Sequence, residues 1–420
     1  MMNESAGQTT PTMVRPDRVI ADLRDLAALT GGLEGARRVC WTPEWTKARA
    51  WLRGKLDELP CAVEVDAAGN LWATLSGQTP DVVVVGSHID SVPHGGWLDG
   101  ALGVTAALEM LRTYAHAPLP VTLRLVDWAD EEGARFGRSL FGSSAAARSL
   151  DIEAVRGLRD RDGVALPDAL AACGVTLDRV HEAATQLANV KAYLELHIEQ
   201  GPVLEREGIP AGPVLGTFGV ERHAIHFSGR TSHAGSTPMD MRHDALLSAA
   251  RFALAVRESA KRHGGVATCG MISVEPGIVT AIPGACRITL DQRALDADAL
   301  ARMLADAREA SEQAAAAEGT SATWEHLWRI EPIPFDQTLL RFAGDACREV
   351  VGTVRALPSG ALHDAAEMAR LVPTVMLFVT SNGGVSHSPA EDTPIAHLEL
   401  AVQAYGRLTA RTLAWVGERA

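Results

Sequence analysis

The chain has 420 residues, 47% of them hydrophobic, and a formal net charge of -13. That length predicts two or three domains with an ample core, and the acidic balance excludes nucleic acid and anionic membrane as natural partners. The six cysteines (Cys40, Cys61, Cys173, Cys269, Cys286 and Cys347) are scattered, with no pair two residues apart. This argues against a disulfide framework or a thiolate zinc site and points to reduced thiols in the cytoplasm.

Residues 1–15 are polar, with Pro11 and a single basic residue, Arg15. They lack the apolar stretch of a signal peptide and read as a disordered tail. The longest apolar runs are far too short to span a bilayer. Helical periodicity starts at Val19, Ile20, Leu23 and Leu26, and a second helix is expected over 43–59, with Pro43 at its first turn after a Thr42 cap. Val63–Val65 and Asn70–Leu75 read as a hairpin around Ala67-Ala68-Gly69. Val82–Val85 then reads as a buried parallel strand.

This strand runs into Gly86-Ser87-His88-Ile89-Asp90, a loop of glycines and a proline, and Asp99-Gly100. His88, Asp90 and Asp99 therefore belong at or just past the carboxyl end of a strand, where open α/β sheets place their ligands. A helix over Ala101–Leu111 follows, then a buried strand over Val121–Val126 ending at Asp130-Glu131-Glu132-Gly133. Residues 151–190 read as helical and surface-like, and Ala192–Ile198 as a strand bearing His197 and running into Gln200-Gly201-Pro202. The alternation predicts a mostly parallel α/β sheet.

Gly212-Pro213 reads as a breaker. Beyond it come strand Glu221–Ser228, helix Asp244–His263, strands Ala267–Val274 and Cys286–Gln292, an alanine-rich packing helix Ala297–Glu318, and strand Thr323–Arg329. That β-α-β-β-α-β order is ferredoxin-like, so 213–328 is expected to be an inserted domain. The catalytic domain would then comprise 16–212 and 329–420. The α/β pattern resumes with a helix over 336–351, Ser359-Gly360-Ala361-Leu362-His363-Asp364, a strand Thr374–Val379 ending near Ser386-His387-Ser388, and a helix over 397–416.

Four strand ends thus carry His88 and Asp99, Glu131-Glu132, His197 and His387. Singly each is weak: one histidine after a strand is usually a hydrogen-bonded structural residue, and an acidic pair is usually solvated. All on one edge of one sheet, they point to a metal site. Imidazole and carboxylate without thiolate suit Zn²⁺, Mn²⁺, Co²⁺ or Ni²⁺. Adjacent acids suit a division of labour, one holding metal and the other moving a proton.

His88-Ile89-Asp90 with Asp99, Asp130–Gly133 and Ser386-His387-Ser388 resemble the M20 (aminoacylase/carboxypeptidase) metallohydrolase family. Leu196–Pro202, Ser232–Met239 and Asp291-Gln292-Arg293 resemble its hydantoinase/carbamoylase branch, which includes N-carbamoyl-L-amino-acid hydrolases, β-ureidopropionases and allantoate amidohydrolases. The resemblance covers nearly the whole chain after residue 16. It implies one metal on His88, Asp99 and His197, and a second on Asp99, Glu132 and His387, with Asp99 bridging. Peptidase members usually carry an acid at the position of His197. Asp90 would orient His88, and Glu131 would serve as general base and then acid. His233 would stabilise the developing oxyanion, reaching the partner subunit of a homodimer built through the inserted lid. Gln200, Arg293, Thr280 and Gly360 would line the substrate pocket, with Arg293 on a carboxylate.

Three positions depart from the branch: Thr280 stands where Asn is usual, Leu362 where Gly is frequent, and Asn382 where an apolar residue is usual. All three are expected near the substrate pocket, where they leave the metal chemistry intact but bear on which substrate is taken. The leading reading is a cytoplasmic, homodimeric two-metal amidohydrolase of N-carbamoyl-L-amino acids. Allantoate or 3-ureidopropionate hydrolysis on the same site is the alternative. A catalytically inactive binding protein on this fold is a third, countered by every ligand position and Glu131 being filled.

Overall fold

The computed structural model describes residues 13–420, and the chain divides into two compact units. One joins the chain up to Leu215 to Phe335–Ala420; the other is Gly216–Pro334. The expected disordered tail lies, for residues 1–12, outside the described residues. Beyond it, Val14 packs against the core and the Arg15 backbone N–H donates to Glu109 at 2.8 Å, just before helix Pro16–Thr30.

The first unit is built on a nine-stranded sheet. Its centre is four neighbouring parallel strands in the order Thr122–Trp128, Val82–His88, Val190–Ile198, Thr374–Val379. The hairpin Ala62–Val65 and Leu71–Leu75 adds antiparallel strands on one flank. The other flank holds Ala211–Thr217, also antiparallel. Val82–Val85 are at most 5% exposed, as a parallel strand covered on both faces requires. Helices Ala101–Tyr114 and Ile395–Gly417 are among those that cover it.

Three expectations need correction. Gly212-Pro213 is not a break but lies within strand Ala211–Thr217, pairing with Leu377 and Phe378. Residues 151–190 form short pieces, Ile152–Arg156, Leu166–Ala172 and the 3₁₀ segment Leu177–Leu187. These are not merely surface, because Leu166, Leu170 and Val180 are buried. Ala267–Val274 is two strands, Val266–Thr268 and Ile272–Glu275, interrupted at Gly270.

In the second unit, helices Ala245–His263 and Ala297–Glu318 pack on each other and on a five-stranded antiparallel sheet. Along Ala285–Ala294 burial alternates residue by residue: Cys286, Ile288, Leu290 and Gln292 are buried, and Arg287, Asp291 and Arg293 stand on the other face. Asp244 and Asp296 cap the two helices, accepting backbone N–H groups in their first turns. No helix among the described residues is long and apolar enough to cross a membrane.

Candidate metal centre

The four central strands all end on one edge, and each delivers part of one cluster. His88 is the last residue of its strand and His197 the penultimate residue of the next. Glu131 and Glu132 follow Trp128, and His387 lies on the loop after Val379. Asp99 ends the loop that follows His88 and is 3% exposed. Its Oδ1 lies 3.2 Å from His197 Nε2 and 3.8 Å from His88 Nε2, and its Oδ2 lies 3.2 Å from His387 Nε2. Glu132 Oε2 stands 3.5 Å from His387 Nε2, and Glu131 Oε2 stands 3.7 Å from His88 Nε2.

These separations fit metal ligands better than hydrogen-bond partners. Donors about 2.0–2.2 Å from a tetrahedral ion stand roughly 3.4 Å from each other. His197 Nδ1 lies 3.0 Å from the Ile198 carbonyl, and His88 Nδ1 lies 3.2 Å from the Asp90 carbonyl. A carbonyl only accepts, so both rings donate from Nδ1, and an ion would take the place of any proton on Nε2. The buried His197 Nε2 and Glu132 Oε1 have no hydrogen-bond partner. Such orphans are costly unless something fills the space between them. Among the described residues three groups have donors close enough to share an ion, His88–Asp99–His197, Asp99–Glu132–His387 and Glu195–His197–His363, and the first two share Asp99.

The electrostatics are those of crowded acids. Burial holds the Glu131 carboxyl well above its usual range against the pull of His88. Burial, then Asp99, pushes Glu132 up to about 7. A hydrogen bond to Asp99 raises His387 to about 9. Burial opposes charge on His88, but Glu131, Asp90 and Asp99 together hold its pKa well above the usual value. Asp130, Gln200 and His387 are non-glycine residues in the left-handed region, with φ of 57°, 56° and 55°. Strain of this kind clusters at functional sites.

Asp90, fully buried, faces His88 and accepts the backbone N–H groups of Glu131 and Glu132 at 3.2 and 3.3 Å. It thus braces the loop carrying both acids as well as the imidazole. Gln200, expected on substrate, has its Nε2 2.9 Å from Asp99 Oδ2 and 3.0 Å from Ser386 Oγ. Gly360 lies exposed on the loop between Ser359 and His363. There Ser359 Oγ pairs with His363 Nε2 at 3.0 Å, and the His363 ring packs on His197 at 4.4 Å between centroids. His94 is exposed and its Nδ1 bonds the Glu34 carbonyl. Asn382, one of the departures, braces the His387 loop by bonding Asp392.

The remaining site residues belong to the second unit. His233 and Thr280 are brought together: His233 pairs with Ala281, and the Ala234 N–H donates to the Thr280 carbonyl at 2.9 Å. Both side chains are exposed. Arg293 Nε donates to Asp291 at 2.8 Å, and Arg222 donates to the same carboxylate at 2.6 Å.

Two buried side chains at this centre escaped sequence reasoning. Arg38, 0% exposed, donates Nε to the Ile89 carbonyl at 2.7 Å and so fixes the segment bearing Asp90. Glu391, 2% exposed, accepts the backbone N–H groups of Leu98 and Asp99. Neither has a local signal, since an arginine before a helix and an acid in a turn both read as solvated.

Residues 84–411 match Peptidase family M20/M25/M40. The chain belongs to this family. Within it, the chain stands in the hydantoinase/carbamoylase branch. It is 38% identical to an N-carbamoyl-L-amino acid amidohydrolase of Geobacillus stearothermophilus, over 85% of this chain and 88% of that protein. It is 36% identical to an allantoate amidohydrolase of Escherichia coli K12, over 91% and 93%. Its fold superposes on a hydantoinase/carbamoylase family amidase from Burkholderia multivorans with a TM-score of 0.85 at 31% identity, covering 95% of this chain and 98% of that one.

Proposed function

We propose that this M20 enzyme, a hydrolase acting on non-peptide C–N bonds, hydrolyses N-carbamoyl-L-amino acids to the amino acid, carbon dioxide and ammonia. The observation that carries the reading is the cluster on four adjacent strand ends, in a chain most of whose length resembles an amidohydrolase of that class. His88, Asp99 and His197 hold one divalent ion, and Asp99, Glu132 and His387 a second, with Zn²⁺, Mn²⁺, Co²⁺ or Ni²⁺ suiting the donors. When bound, the ions supply Lewis acidity, polarising the carbamoyl carbonyl and acidifying water.

Glu131 takes the proton from the attacking water and returns it to the departing nitrogen. Asp90 holds Glu131 and His88 in register. His233 stabilises the oxyanion from the partner subunit of a cytoplasmic homodimer joined through the inserted unit. Arg293 receives the substrate carboxylate, exchanging it for Asp291, which Arg222 already neutralises. Thr280, Gln200 and Gly360 are assigned to substrate binding.

The alternative is allantoate or 3-ureidopropionate as substrate, favoured by the similarity to an allantoate amidohydrolase over nine-tenths of the chain. A panel of N-carbamoyl-L-amino acids, their amides, 3-ureidopropionate and allantoate, with metal-reconstituted enzyme and ammonia release as readout, separates the two. The N-carbamoyl acids should have the highest kcat/KM and their amides should be poor. Faster turnover of allantoate than of every N-carbamoyl acid overturns the assignment, and equal turnover of acid and amide removes Arg293 from its role.

A further inference from the structure

We infer that Glu391 is a positioning residue that sets Asp99 and His387 at the spacing the second ion needs; this rests on the two-metal reading above. Asp99 and His387 come from loops nearly three hundred residues apart, and one buried carboxylate ties them. Glu391 Oε1 accepts the backbone N–H groups of Leu98 and Asp99, both at 3.0 Å. Its Oε2 faces the Ser386 hydroxyl at 3.2 Å, and that hydroxyl is also 3.0 Å from Asp99 Oδ2. The backbone of Asp99 and the residue before His387 thus hang on the same group.

The carboxylate lies hard against the backbone of Gly96. A Cβ at Gly96 would stand 1.9 Å from both Cδ and Oε1 of Glu391, so glycine there is what leaves the room. Asp99 turns Oδ1 toward His88 and His197 and Oδ2 toward His387, and the Ser386 hydroxyl lies on the Oδ2 side. Loss of Glu391 therefore loosens the Asp99–Glu132–His387 group more than the His88–Asp99–His197 group.

The test is a titration of chelated, full-length protein with Zn²⁺ against a chromophoric chelator, with thermal melting of the metal-free protein as the fold control. Wild type should bind two equivalents per chain. Glu391→Ala should weaken the second step by about 10–100-fold, the range found when partners of metal ligands are removed, while the first step moves little. Gly96→Ala, which keeps Glu391 but expels its carboxylate, should do the same, and it carries the test if Glu391→Ala does not fold. Glu391→Gln, which keeps an accepting oxygen for both N–H groups, should recover most of the affinity. Wild-type affinity for both steps in Glu391→Ala and Gly96→Ala, or equal weakening of both steps, overturns the inference. A single equivalent in wild type overturns the two-metal reading instead. Glu391 is then judged on that one step, where unchanged affinity in both variants overturns it.

Discussion

Glu131 and Glu132 are neighbours in sequence to which the proposal gives different tasks, and their environments differ accordingly. Glu132 stands 3.5 Å from His387 Nε2 and belongs to a group that could hold an ion, whereas Glu131 stands 3.7 Å from His88 Nε2 and belongs to none of them. Replacing Glu131 with Gln removes the proton carrier but keeps the shape and the ligands. Such a variant should retain its full metal complement, measured by elemental analysis, and lose at least about 10²-fold in kcat, the scale of general acid–base catalysis. Full turnover in the variant would assign the proton transfer to another group. At this scale the sequence was legible where chemistry repeats at strand ends, and silent where a residue acts through distant backbone. His88, Glu131-Glu132 and His197 could be picked out because each lies at or just past an apolar strand, and the resemblance added the split between Glu131 and Glu132 and the roles of Asp99 and His387. Arg38 and Glu391 could not, because what makes them matter is the backbone of Ile89, Leu98 and Asp99 that folding brings to them.

Elements were legible in proportion to their regularity. Val82–His88, Thr374–Val379 and the two long helices of the inserted unit announce themselves through unbroken apolar or 3.6-period patterns. Strand Ala211–Thr217 does not, because Gly212-Pro213 argues against a strand, and pairing with Thr374–Val379 and Ile333–Pro334 restores it. The loop between His88 and helix Ala101–Tyr114 has two residues at positive φ, His94 and Gly100, and Gly100 is the one that abuts the cluster. Gly100 has φ of 63°, and a Cβ there would lie 2.3 Å from His88 Cε1 and 2.4 Å from the His88 carbonyl oxygen. Gly100→Ala combines backbone strain with collision against His88, a proposed metal ligand, at about 1–3 kcal/mol for the strain alone. Gly137, with φ of 76° and no atom within 4 Å of its Cβ position, isolates the strain. Urea unfolding should show both alanine variants destabilised, with Gly100→Ala the worse, and only Gly100→Ala should lose metal affinity. Equal metal binding in both would mean that His88 tolerates displacement.

Among the described residues the first unit has one large core beneath the candidate metal centre, and the inserted unit has two smaller ones, around Ile225, Phe227, Phe252 and Ile288 and around Leu300 and Met303. The smaller unit carries unusual surface for its size. Its sheet ends on Ile272–Glu275 at one edge and Ser321–Ile330 at the other. Met271, Ile272, Leu327 and Trp328 on or beside those edges, and Val279 next to Thr280, are exposed. Unpaired edges bearing apolar side chains are templates for association. The unit also carries the exposed His233, a residue expected to act on a reaction centred in the other unit. Both facts have one explanation if two copies join through this unit and each lends His233 to its partner. Purified Glu131→Gln and His233→Ala proteins should then both be nearly inactive. Mixed under conditions that exchange subunits, they form hybrids in which one site has neither lesion and the other has both. With equal mixing, half of the dimers are hybrids and each has one intact site, so activity should return to about a quarter of wild type. A separate double variant, mixed with wild type, should show no such gain over dilution. Hybrids confirmed by native mass spectrometry that stay inactive would mean that each chain completes its own site.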